Sequence, residues 1–193
     1  MTTLGHIKTT IFLIICGILI TVISCQNSTK PVDAEKLAED VNNAKMDNPK
    51  DEKDAMFMVK AAEISGEEVR MGQLAQQKGM TNDVKELGKM METDHGKAMA
   101  DLTAMANRKY INIPTVPTED SKEAYNKLNE KNGIDFDKAY TALMVNGHTD
   151  AIDLFEKASS SCTDVEIKNW AQSMLPGLHS HLDHAMAAQQ RLK

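Results

Sequence analysis

Four residues in this sequence combine a metal-binding side chain with an apolar setting: Glu68, His95, His148 and His181. A buried carboxylate is costly unless something compensates its charge, and a buried imidazole needs partners for both ring nitrogens. Gathered around one point, the four would satisfy one another by holding a divalent cation. The pattern does not distinguish zinc, iron, manganese and copper. Glu92-x-x-His95 resembles half of a di-iron carboxylate motif. The corresponding positions before His148 and His181 are Val145 and Leu178, and a di-iron site needs four carboxylates. Oxygen-activating or peroxide-handling chemistry is therefore the least supported function. The sequence contains no phosphate loop, nucleophile elbow or Cys pair.

Helices must bring these residues together. Apolar spacing predicts helix A over Asp54–Lys78, with the inner face Phe57, Ala61, Ile64, Glu68, Met71 and Ala75. Helix B follows a Thr81 N-cap and runs to Arg108, presenting Val84, Leu87, Met91, His95, Ala98, Leu102 and Met105. A connection with Pro114, Pro117 and a short helix over Glu119–Lys131 leads to helix C. Helix C starts near Asp135 and carries Phe136, Tyr140, Leu143, Met144, His148, Ala151 and Phe155. Ser159–Ser161 reads as loop. Helix D opens on the capping-box pattern Thr163-x-x-Glu166 and carries Ile167, Trp170, Met174, Leu178, His181, Ala185 and Leu192, with Pro176 expected to kink it. The expected fold is all-α, a ferritin-like four-helix bundle with one long connection between helices B and C.

Counted from the A–B turn, Glu68 and His95 lie nearly level. Counted from the C–D turn, His148 and His181 disagree by about seven residues, roughly 10 Å of helical rise. His179 and His184 are expected to face solvent. The abundant Met residues read as flexible core filler rather than as copper ligands.

The N-terminal region has a different character. Ile11–Ile23 is almost unbroken apolar sequence, too short for a comfortable transmembrane helix and suited to a signal-peptide core. Val22-Ile23-Ser24-Cys25 follows and resembles the lipobox of bacterial lipoproteins. The organisation read from the sequence is residues 1–24 as signal peptide, 25–53 as a lipidated N-terminus and flexible tether with transient helix around Ala34–Ala44, and 54–193 as the helical domain. Cys25 is the expected lipidation site, and the membrane is the partner reached through it. The expected location is the bacterial envelope, on the outer membrane facing the periplasm. Cys16 would leave with the signal, so Cys162 has no internal partner. The formal net charge is −6. With no basic patch, that argues against nucleic-acid binding.

The residues also carry a family resemblance. The chain is similar to the bacterial domain-of-unknown-function family 4142, envelope proteins with a ferritin-like helical bundle. The matching motifs are Phe57-x3-Ala61 with Glu68-Val69, Met91-x2-Asp94-His95, Phe136-Asp137-x2-Tyr140 with Met144-x3-His148, and Leu175-Pro176-x-Leu178-x2-His181-Leu182. The resemblance implies the bundle and marks Asp94, Asp137 and Tyr140 beside the four ligand candidates. These three are expected to orient the imidazoles. It implies no established activity. The alternative to a metal site is a non-enzymatic binding or stress-protection module with a metal-free polar core network.

Overall fold

The computed structural model describes residues 33–193. Cys25, its lipobox and the signal segment lie outside the described residues. Six helices follow in order: α1 (Ala34–Asn43), α2 (Pro49–Lys78), α3 (Asn82–Lys109), α4 (Glu119–Asn129), α5 (Gly133–Ser161) and α6 (Val165–Arg191). The described residues contain no strand, and none of their helices is long and apolar enough to cross a membrane.

Every helix start but that of α5 is capped by a side chain. Asn48 accepts from the amide of Lys50 with Pro49 in the first turn, Thr81 accepts from Val84 N and Thr118 from Ser121 N. The expected capping box of the last helix does not form. Asp164 is the N-cap and accepts from the amides of Glu166 and Ile167, whereas Thr163 points at Asp54. Nor is Ser159–Ser161 a loop. All three hydroxyls bond back to carbonyls of Glu156 or Lys157, and α5 runs on to Ser161. α6 continues through Pro176 without a break.

The helices pack as two antiparallel hairpins, α2 against α3 and α5 against α6, with lighter contacts between the hairpins. Small residues let the first hairpin close tightly. A Cβ added at Gly72 would stand 2.4 Å from the carbonyl oxygen of Gly88, and one at Gly88 would stand 2.7 Å from that of Gly72.

The segment read as tether is partly built into the fold. α1 packs on α2, and Asn42 is buried. Its side chain bonds Asn112 three times, at 2.7, 2.8 and 3.1 Å. Asp33 Oδ2 accepts from the amide of Glu119 at 2.8 Å. These are polar contacts made by a segment with few apolar residues, so hydrophobic spacing does not reveal them.

The interior divides into two apolar clusters. One holds Phe57, Met58, Leu102, Phe155, Ile167 and Leu178, with Trp170 packed on it. The other holds Met71, Leu87, Met91, Phe136, Tyr140 and Met144. Met71, Met91, Met105 and Met144 are all buried as filler. Along α3, His95 falls between Met91 of one cluster and Leu102 of the other. Along α5, His148 falls between Met144 and Ala151, and along α6, His181 falls between Leu178 and Ala185. Along α2, Glu68 falls between Ala62 and Met71. A polar layer therefore separates two greasy ones.

Candidate metal centre

Heptad-like spacing turns His95, His148 and His181 inward, and all three are at least 96 % buried. His95 Nε2 lies 3.4 Å from His148 Nε2, and His148 Nε2 lies 3.3 Å from His181 Nδ1. One nitrogen from each ring fits within 4.8 Å of the others. The seven-residue offset expected at the C–D turn is largely removed because α5 extends to Ser161. His148 stands thirteen positions before that end and His181 sixteen after the start of α6 at Val165. The remaining three residues, about 4.5 Å of rise, are within reach of two imidazole side chains.

The hydrogen positions follow from the partners. His148 Nδ1 is 2.9 Å from the carbonyl oxygen of Met144. A carbonyl only accepts, so Nδ1 carries the hydrogen and Nε2 presents a lone pair. His181 Nε2 is 3.0 Å from Oδ2 of Asp94, whose side chain is 55 % exposed. Nε2 donates there, which leaves Nδ1 turned toward His148 Nε2 at 3.3 Å. Protonation of His95 and His148 is opposed. Burial, together with the neighbouring imidazoles, pushes His95 down to about 3 and His148 to about 4.

Other candidates take other places. Glu68 is buried, with Oε1 3.9 Å from Nδ1 of His148, on the side of that ring turned away from the cluster. Oε2 has no hydrogen-bond partner. Burial pushes the Glu68 carboxyl up to about 8, with the charge of Glu67 adding. Gly147 leaves room for it, since a Cβ there would lie 3.4 Å from Oε1. Tyr140 is fully buried, its hydroxyl is also without a partner, and it sits close enough to feel the charge of Glu68.

Of the three expected orienting residues, Asp94 holds an imidazole. Asp137 accepts instead from the amides of Met80 and Thr81 and from the Thr81 hydroxyl, closing the α2–α3 turn. With three of its acceptor sites taken by donors of the turn, the carboxylate is held there and not beside an imidazole. Glu92 turns outward to the amides of Gln73 and Gln76, at 2.9 and 2.7 Å. His179 and His184 are exposed. Two participants escaped the sequence reading. The Met144 carbonyl fixes the His148 tautomer, which the i, i−4 spacing on α5 could have suggested. Asp54, which pins the α5–α6 turn, gave no signal.

A family model described as Domain of unknown function (DUF4142) matches residues 39–188. The chain belongs to this family. The DUF4142 match begins within α1 and ends within α6, so it contains all three imidazoles, Asp94 and Glu68. It also takes in the second half of α1 and the Asn42–Asn112 contact as parts of the DUF4142 domain. No curated protein and no solved structure matches the chain significantly.

Proposed function

We propose that this domain is a metal-holding module in which His95, His148 and His181 bind one divalent d-block cation. The observation that carries the reading is the convergence of one nitrogen from each of three buried imidazoles within 4.8 Å, with the lone pair of His148 Nε2 turned to the centre. A cation there would be coordinated by all three. Ligands about 2.0–2.1 Å from a tetrahedral zinc stand about 3.3–3.4 Å apart. Two of the nitrogen pairs have that spacing. An all-nitrogen set suits zinc or copper better than magnesium, calcium or manganese. Glu68 is the nearest buried carboxylate. With Oε2 unbonded, no hydrogen bond resists its turning to a fourth position.

The burial of the triad, at least 96 % for each ring, supports holding an ion over processing a substrate. In this reading the four long helices are a ferritin-like bundle with α1 and α4 added. The lipobox pattern supports anchorage through Cys25 to the outer membrane, with the domain in the periplasm. Labelling with a radioactive fatty acid, abolished by Cys25→Ala, tests the anchor.

Metal analysis of the purified full chain, with and without His148→Ala, tests the site. The expected result is close to one zinc or copper per chain, falling to background in the variant. Background metal in both after incubation with zinc or copper, and no effect of a chelator on melting, would overturn the proposal. It would leave a metal-free polar network.

A further inference from the structure

A cavity of about 320 Å³ lies away from the triad, between α2, α3 and the connection leading to α4. Its roof is the stretch Pro114-Thr115-Val116-Pro117, an arch tied down at both ends. On one side Asn112 is bonded to Asn42 of α1. On the other, the Thr118 hydroxyl donates to Oε1 of Glu63 at 2.8 Å, and the amide of Glu119 donates to Asp33. Two prolines stiffen the span between the ties. The floor is held open by Gly66, where a Cβ would lie 3.4 Å from the terminal methyl of Met99. A pinned roof and a glycine floor make this a preformed space of the size that takes small ligands.

The charges inside are unevenly matched. Glu63 is occupied on both oxygens, by Thr118 and by Lys60. Arg70 is drawn toward α4, where it donates to Ser121 and its guanidinium lies 4.7 Å from the Tyr125 ring centre. Glu67 and Arg70 are three residues apart on one helix face and would ordinarily pair. With Arg70 held aside, Glu67 has no hydrogen-bond or ion-pair partner among the described residues, although its side chain is half-buried. The charge of Arg70, which also lines the cavity, still reaches Glu67 without bonding it, and Asp120 opposes it with negative charge nearby. Around this carboxylate the wall is apolar, from Ala62, Met99, Pro114 and Val116.

We propose that this cavity binds a small organic ammonium ion, its charged head on the Glu67 carboxylate and its short alkyl body against Met99, Val116 and Pro114. An ammonium supplies the hydrogen-bonded cation that Arg70, held at Ser121 and Tyr125, does not, and a body of a few methylenes fills the apolar remainder. A carboxylate-bearing or neutral molecule of the same shape lacks that match. This site is independent of the metal reading.

The test follows the methyl signal of Met99 in the full chain during titration with n-hexylammonium and, separately, with 1-hexanol of nearly the same shape. The expected result is a saturable shift at least tenfold tighter for the ammonium. Glu67→Gln brings the two ligands within about twofold of each other. Gly66→Val fills the floor and removes the saturable shift for both. The Met91 and Met144 methyls, buried in the other cluster, report whether each variant keeps its fold. If Gly66→Val disturbs them, the Glu67→Gln comparison decides alone. Equal affinity for ammonium and alcohol in the parent chain, an undiminished preference in Glu67→Gln, or no saturable shift at all would each overturn the proposal.

Discussion

Asp94 and His181 join across the boundary between the two hairpins, Oδ2 to Nε2 at 3.0 Å, one side chain more than half exposed and the other buried. The bond fixes which nitrogen of His181 faces the interior. Asp94→Asn still fills the space, but the amide can donate as well as accept, and it carries no charge to favour the donating tautomer. Zinc affinity measured by competition with a chromogenic chelator should fall 10- to 100-fold. Because Asp94 is exposed, melting of the metal-free variant should change by a few degrees at most. Unchanged affinity would remove Asp94 from the site.

Stability of the metal-free chain should peak near pH 6.5. His95 and His148 refuse protons in the fold down to about 3 and 4 but accept them at about 6.5 when unfolded. Their contribution is present above 6.5 and is lost as pH falls toward 4. Glu68 acts with the opposite sign. It keeps its proton in the fold up to about 8 and releases it near 4.5 when unfolded, so its contribution is lost as pH rises through 8. Between about pH 4.5 and 6.5 two imidazoles outweigh one carboxyl, leaving a net rise of about 1.4 kcal/mol per pH unit; above 6.5 only the carboxyl acts and stability falls. Urea unfolding across the range reads this directly. Glu68→Gln should flatten the alkaline limb and steepen the acid limb to about 2.7 kcal/mol per pH unit; a maximum at or above pH 8 in the parent chain would contradict the assignment.

The helix glycines should sort by their neighbours. Gly72→Ala and Gly88→Ala push a methyl into backbone less than 3 Å away, and each should lower stability by at least about 1–3 kcal/mol. Gly177→Ala meets nothing within 4 Å and should raise it by up to about 1 kcal/mol, through helix propensity. Thermal melts of the three variants make the comparison, and equal effects would refute the close α2–α3 approach.

Asp54 should matter although it touches no ligand. It is buried and accepts from Thr163 N, Thr163 Oγ1 and Asp164 N, tying the start of α2 to the α5–α6 turn. Asp54→Ala leaves those donors unpaired and should cost about 1–3 kcal/mol, with metal stoichiometry kept. Loss of the ion together with stability would show that the turn also sets the triad's geometry.

The helical character, the four long segments and the inward histidines were legible because one residue type repeated at helical spacing marks a buried face. The inner positions of Met91, His95 and Leu102 follow from that rule alone. What escaped it is polar. Asp137, from a motif shared with the DUF4142 family, was expected beside an imidazole and instead closes a turn, since a pattern of positions does not say which donors a carboxylate will meet. α1 was read as tether because its anchor is one buried asparagine and not an apolar stripe. The end of α5 was missed because serines favour loops in general, whereas here their hydroxyls bond back to the preceding turn.

The triad is divided unequally between the hairpins: His148 and His181 come from α5–α6, and His95 alone from α2–α3. A partly unfolded chain with only its second hairpin formed would bring together the two nitrogens that stand 3.3 Å apart in the complete fold. An ion caught there early would recruit His95 as the first hairpin docks, so metal supply would influence the order of assembly as well as the finished fold.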